Sequence, residues 1–273
     1  MRGSVEQMNG VSIPDTGWNA AVEIDYAAAG INDRPVRGVP LIFSDPPYNI
    51  GVKYDGDASC DVRGEAYWDF VARTLRIQAG WMAASGTLWW MCPSSHIERV
   101  GPLLSAIVGP RVASIVWHEA FSVYRHKALT HDWRSILVHA RDPSAVRFNA
   151  DAIRVQSERQ RMGDKRADPR GRIPGTVWAF RRLQGTSNDR VDWHPAQLPP
   201  ELLERIVRGW SDPGDLVVDG FSGSGSMGVV AGKLGRRFAG CDRSRVYLRK
   251  MQGRLSGVNF GCWLPAQPEG VKA

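Results

Sequence analysis

Val39-Pro40-Leu41-Ile42-Phe43-Ser44-Asp45-Pro46-Pro47-Tyr48 is a short apolar run that ends on an acid, two prolines and a tyrosine. An apolar run of this length closed by a turn reads as a buried strand, and the prolines end it. Much later, Leu216-Val217-Val218-Asp219 repeats the pattern and enters the glycine-rich bend Gly220-Phe221-Ser222-Gly223-Ser224-Gly225. Around these two stretches, segments of strand and helix character alternate. That alternation implies an α/β fold: a Rossmann-like, mainly parallel, three-layer sheet with right-handed crossovers. In open sheets of this kind ligands bind beyond the carboxyl ends of strands, where strand order reverses. Both loops leave such ends, so the acidic-proline corner and the glycine bend are expected on one rim.

Working outward, the short apolar group Val11 to Ile13 reads as an outer strand. Residues 64–83 carry Tyr67, Phe70, Val71, Leu75, Ile77 and Trp81 at helical spacing. Gly86 to Cys92 is a strand stopped by Pro93. A helix is expected from Ser95 to Val108 with Ser94 or Ser95 as its cap. Strands follow at Val112 to Trp117 and Arg134 to His139, read as an antiparallel pair. Pro199-Pro200 opens a helix reaching Trp210, with Leu202, Leu203, Ile206 and Val207 on one face. Asp212-Pro213-Gly214-Asp215 turns the chain into strand 216–219. A further helix starts near Ser224, and Arg237 to Cys241 is the next strand.

A chain of 273 residues suits one large α/β domain better than two, so residues 1–273 are read as a single domain. No apolar run approaches the roughly 18 to 20 residues of a membrane-spanning helix. The opening residues lack the apolar stretch of a signal peptide, so no membrane is expected and the cytoplasm is the expected address. Cys60, Cys92, Cys241 and Cys262 match no zinc spacing and read as reduced, mostly buried thiols. The formal net charge of +7 is unevenly spread: residues 141–182 hold eleven Arg and Lys against five acids, nearly the whole excess. A solvated loop and a polyanion-binding surface both fit such a run.

In the glycine bend, Gly223 and Gly225 leave no Cβ in the way, so backbone can approach a ligand and turn sharply into a helix whose first N–H groups are unpaired. Asp242 ends the next strand, where a carboxylate can accept hydrogen bonds from both hydroxyls of a ribose. Gly228 completes a Gly-x-Gly-x-x-Gly spacing, so the glycines alone leave a nicotinamide cofactor open. The acidic-proline corner disfavours it. Methylating an exocyclic amine of adenine or cytosine is difficult because the nitrogen lone pair is delocalised into the ring. Acceptors aimed at its two N–H bonds favour the tetrahedral nitrogen of the transition state. The Asp45 carboxylate and the Pro46 carbonyl can be those acceptors. Pro46 and Pro47 hold the turn and remove competing N–H groups, and Tyr48 can stack on a base taken out of the duplex.

These residues resemble the S-adenosylmethionine-dependent amino-methyltransferases of DNA in their permuted β class, where the Asp-Pro-Pro-Tyr loop precedes the Phe-x-Gly-x-Gly loop. Ser44 to Gly51 is similar to the catalytic loop of the adenine-N6 members, and His194 through Tyr247 to the family's C-terminal block. The resemblance implies the class I methyltransferase fold, permuted, with S-adenosylmethionine as cofactor and double-stranded DNA as substrate. Asp45, Pro46, Pro47 and Tyr48 would be catalytic. Asp45, His194, Gln197, Asp219, Phe221, Ser222, Gly223, Gly225 and Asp242 would bind cofactor, His194 to Gln197 near its methionine end. Leu198 stands where the family commonly has lysine, Gly220 where it commonly has proline, and Arg243 and Ser244 flank Asp242 where acidic or apolar residues are usual. The family's target-recognition interval corresponds to residues 142–190, short and basic here. Arg159, Arg161, Lys165, Arg166, Arg170 and Arg172 are expected to meet DNA there. Trp178 and Trp193 either stack on nucleotides or, the better-favoured reading, pack against the sheet. A homodimer and a cognate restriction nuclease are further expectations from the family. Asp at the head of the loop leans to adenine N6. Cytosine N4 is the alternative target, and a non-catalytic nucleic-acid-binding protein that retains the fold is the alternative class.

Overall fold

Strand residues 41–43 and 88–92 alternate between two cores, as a sheet buried on both faces requires. Ile42, Leu88, Trp90 and Cys92 join one apolar cluster, and Leu41, Phe43, Trp89 and Met91 the other. The computed structural model describes residues 20–26, 29, 36–50, 52, 64–119, 126–185, 187 and 189–256. The strand expected at Val11 to Ile13, Gly51, Cys60 and Cys262 lie outside them.

In chain order the elements are β1 (Ala20–Glu23), β2 (Val39–Ser44), α1 (Glu65–Trp81), β3 (Met82–Cys92), α2 (Ile97–Ile107), β4 (Arg111–His118), β5 (Trp133–Ala140), α3 (Glu158–Arg161), β6 (Val177–Ala179), α4 (Pro200–Trp210), β7 (Leu216–Asp219), α5 (Ser226–Lys233), β8 (Arg237–Asp242) and α6 (Arg245–Leu255). They build one eight-stranded sheet of order β1-β8-β7-β2-β3-β5-β4-β6. Every neighbouring pair is parallel except the two that flank β5. Apolar residues of α1 and α2 fill the first cluster, and those of α4, α5 and α6 the second, which gives the three expected layers. The antiparallel β4–β5 pair is present, extended slightly beyond both expected strands.

Some expectations needed correction. Neither Ser94 nor Ser95 caps α2: Ser94–His96 form a short 3-10 turn that runs into the helix without a side-chain cap. The sheet gains β1 and β6 at its two edges, too short for periodicity to mark. Helix α6 was hidden by its Arg and Lys content, though Tyr247, Leu248, Met251 and Leu255 form its buried stripe. The basic stretch after Arg141 is largely loop as expected. It also holds α3 with a complete Ser157–Gln160 capping box and a backbone bridge between Val155 and Arg172.

Candidate active site

The roots of the two loops are hydrogen-bonded neighbours. β2 pairs in parallel with β7, with Phe43 opposite Asp219, and the Gly220 N–H donates to the Phe43 carbonyl at 2.8 Å. From this pair the chain proceeds outward in opposite directions, β2 to β3 on one side and β7 to β8 on the other. That is the reversal of strand order at which open α/β sheets hold ligands. A cavity of about 720 Å³ opens there, within the usual range for a small-molecule site. Asp45 and Pro47 line it from one loop. Asp219, Phe221, Ser222 and Gly223 line it from the other, joined by His194 and Asp242.

The glycine bend is clamped by two acidic side chains. The Phe221 N–H donates to Asp219 Oδ1 at 3.1 Å, and the Gly223 N–H to Asp242 Oδ2 at 3.0 Å. Ser244 N–H meets the other oxygen of Asp242 at 2.8 Å. Gly223 has a φ of +43°, and a Cβ there would stand 2.5 Å from Nε2 of His194. Only glycine fits, in conformation and in space. Gly225, at φ +74°, begins α5; it packs against Met251 instead of lining the cavity. Burial pushes the Asp219 carboxyl up to about 8, with Asp45 and Asp242 adding to the effect, so it is protonated near neutral pH. Burial likewise pushes His194 down to about 4, leaving a neutral imidazole. The cradle therefore presents mostly neutral donors and acceptors, with Asp242 as the carboxylate at its rim. That donor set and the space kept by Gly223 fit a ribose-bearing cofactor.

Gln197 does not reach the cavity. It is buried, accepting from the Val191 N–H at 2.9 Å and donating to the Asp189 carbonyl at 2.7 Å. It braces the 189–191 turn beside His194.

At the acidic-proline corner, Pro46 is buried and Asp45 half-buried. The Tyr48 hydroxyl donates to Asp45 Oδ1, and the Tyr67 hydroxyl holds the Pro47 carbonyl at 3.0 Å. Desolvation pushes the Asp45 carboxyl up; the Tyr48 hydrogen bond and the Arg134 charge oppose it. The Arg134 guanidinium lies over the Tyr48 ring, 5.0 Å from its centre, so one face of that ring is occupied. Cys92 is buried with its thiol pushed up to about 12, far from a reactive thiolate.

Sequence reasoning missed a buried polar chain beneath both loops. Ser44 Oγ donates to Gln78 Oε1 at 2.8 Å, and Gln78 Nε2 to the Tyr26 hydroxyl at 3.0 Å. That hydroxyl donates to the Gly220 carbonyl at 3.0 Å. Gln78, a polar residue on the apolar face of α1, was the available signal. The chain also accounts for Gly220. Its N–H bonds to Phe43, which proline could not do, and a Cβ would press on Gln78 and stand 2.5 Å from Ser44 Oγ.

The six basic residues expected to meet DNA lie apart from this cavity. Arg161 pairs with Glu158, Arg166 with Asp164, and Arg170 with Asp168 and Asp151. Arg159, Arg166 and Arg172 line a shallow, open depression, and Lys165 lies in the turn beside them. Trp178 is buried beside Trp89 in the second core; Trp193 is half-buried against Tyr247, with the Lys250 ammonium over its ring. Among the described residues no cluster of metal-ligating side chains occurs and no helix is long and apolar enough to cross a membrane.

Fold and site together define a nucleotide-cofactor enzyme of the α/β class, with the acidic-proline corner on the rim of the cofactor cavity. Comparison with known proteins makes the class specific. Residues 39–253 match the family model of DNA methylases that act on amino groups, and the chain belongs to that family. It is 30% identical over 240 residues to the DNA adenine methyltransferase YhdJ of Escherichia coli K12, covering 84% of this chain and 80% of that protein. It is 28% identical over 230 residues to the type II methyltransferase M.HpaI of Haemophilus parainfluenzae, covering 84% and 72%. The cytosine-N4-specific PvuII DNA methyltransferase shares the fold at a TM-score of 0.61 and 16% identity, over 86% of each chain. The M1.HpyAVI–SAM complex does so at 0.56 and 20%, over 80% of this chain and 89% of that one. The reaction is S-adenosylmethionine-dependent methylation of DNA.

Proposed function

We propose that this chain methylates the N6 amino group of adenine in double-stranded DNA, on a base turned out of the helix. The observation that carries the reading is the juxtaposition of Asp45 and the Asp219–Asp242 cradle across one cavity. The aspartate at the head of the corner and the kinship with an adenine methyltransferase support adenine over cytosine.

Bound S-adenosylmethionine would supply an electrophilic methyl group, held by Asp219, Phe221, Ser222, Gly223 and Asp242 with His194 alongside. Asp45 and the Pro46 carbonyl accept hydrogen bonds from the target amine, favouring the pyramidal nitrogen as its lone pair is engaged. Tyr67 fixes the corner through the Pro47 carbonyl. Tyr48, whose ring lies under the Arg134 guanidinium, stacks on the extruded base. Residues 142–190 engage the duplex, with Arg159, Arg161, Lys165, Arg166, Arg170 and Arg172 meeting phosphates. Their pairs with Glu158, Asp164 and Asp168 are solvent-exposed and weak, so exchange for phosphate oxygens costs little. The type II name of M.HpaI supports a restriction nuclease as cognate partner. The cytoplasm as address and a homodimer complete the proposal.

The test is transfer of tritiated methyl to unmethylated plasmid DNA, followed by digestion to nucleosides. Label in N6-methyladenine is expected. Label in N4-methylcytosine would replace the target, and no incorporation by the native chain with cofactor bound would remove the enzymatic reading.

A further inference from the structure

Glu119 follows β4 directly and its carboxylate is almost fully buried, 5% exposed. A buried carboxylate persists only where cations and hydrogen bonds replace its lost water. Two arginines do so from different parts of the chain. Arg134 Nε, on β5, meets Oε1 at 2.5 Å, and Arg182 Nε, in the segment that leaves β6, meets Oε2 at 3.2 Å. Arg134 is the residue whose guanidinium covers Tyr48, and Tyr48 in turn holds Asp45. Arg182 is half-exposed, on a stretch tied to β4 by the Phe180 N–H bond to the His118 carbonyl and the Trp117 indole bond to the Phe180 carbonyl. One continuous polar path thus runs Arg182–Glu119–Arg134–Tyr48–Asp45.

We propose that Glu119 is the joint through which the basic segment sets the catalytic corner, with Arg134 a positioning residue for Tyr48 and Asp45 and Arg182 the lever on the segment side. This rests on the reading that residues 142–190 engage DNA and Asp45 the target amine. The two oxygens of one carboxylate hold both guanidiniums, so movement of Arg182 toward a phosphate shifts Glu119, and Arg134 over the Tyr48 ring shifts with it. The Nε–H donor and the flat face of the guanidinium are both in use at position 134, so lysine is no substitute there.

The test uses the full chain and compares Arg134→Gln, Arg134→Lys, Glu119→Gln, Arg182→Gln and the Glu119→Gln/Arg182→Gln double variant. Methyl transfer to unmethylated plasmid DNA is measured alongside 19F spectra of 3-fluorotyrosine placed at position 48. Arg134→Gln is expected to lower kcat by about 10²-fold, as small misplacements of reacting groups do, with cofactor affinity unchanged. Arg134→Lys should fall nearly as far. Glu119→Gln and Arg182→Gln should each shift the fluorine resonance, and their effects in the double variant should not add, since they share one network. A resonance indifferent to Arg182→Gln, or strictly additive effects, overturns the joint. The spectrum does not depend on turnover, so absence of methyl transfer by the native chain would count against the enzymatic reading alone, while the spectra still decide the path.

Discussion

The Tyr48 hydroxyl donates a hydrogen bond to Oδ1 of Asp45, so the ring proposed to stack on the base and the carboxylate proposed to meet its amine are tied to each other. This hydrogen bond holds the carboxyl down against the desolvation that pushes it up. Tyr48→Phe keeps the aromatic face and removes only the donor, so the Asp45 pKa rises. An acceptor must be ionised to serve, and the acidic limb of the kcat/KM profile should therefore move to higher pH. A limb that stays where the native enzyme has it would show that Asp45 titration does not govern the profile.

Asp45→Ala removes the acceptor proposed for the amine while the glycine bend keeps its Asp219 and Asp242 clamps. Methyl transfer should drop by about 10²- to 10³-fold or more, the scale of losing one directed electrostatic partner. Calorimetric S-adenosylmethionine affinity should fall far less than turnover, since the cradle on the other loop remains. Normal turnover in this variant would strip Asp45 of its role.

Gly223→Ala should separate the two halves of the site the other way. The residue sits at φ +43° with the His194 ring 2.5 Å from where a Cβ would go, so the bend or the imidazole must move. Cofactor affinity should fall by at least about tenfold, the equivalent of roughly 1.4 kcal/mol. The distant β4–β5 pair should be undisturbed, while the melting temperature should fall by a few degrees, as roughly 1–2 kcal/mol of local backbone strain implies. Wild-type affinity would mean the cofactor does not approach this backbone.

The sequence made the sheet's centre readable because β2, β3 and β7 are buried on both faces, and a run such as Leu216 to Asp219 has few other readings. It also indicated that the two loops share a rim, since strand ends and crossover handedness leave little freedom. The edges were illegible for the opposite reason: Val177–Ala179 is three residues long and sits inside a charged segment, and its pairing with β4 is a long-range fact. Gln197 illustrates a different limit. Its place in the His-Pro-x-Gln block suggested cofactor contact, whereas local backbone N–H and C=O groups claim its amide. Glu119 and Arg134 gave no signal at all, because an acid and a base fifteen positions apart become a pair only once β4 and β5 are folded together.

Asp219 gives stability a pH signature with a definite sign. Burial holds its folded pKa at about 8, well above the value of about 3.9 in an unfolded chain. His194 is displaced the other way, to about 4 from an unfolded value of about 6.5. Between about pH 4 and 6.5 the native state keeps a proton at 219 that the unfolded chain has lost, and lacks one at 194 that the unfolded chain carries, so the two slopes oppose. From about 6.5 to 8 only the Asp219 slope remains. There the native state binds more protons, and stability should fall as pH rises, by up to about 1.4 kcal/mol per unit. Asp219→Asn keeps an acceptor for the Phe221 N–H and removes the titration. Its melting temperature should therefore gain on the native protein steadily from pH 5 to 8 and run parallel above that. Thermal scans of both proteins across this range decide the matter: parallel curves throughout would mean that Asp219 is already ionised in the folded state.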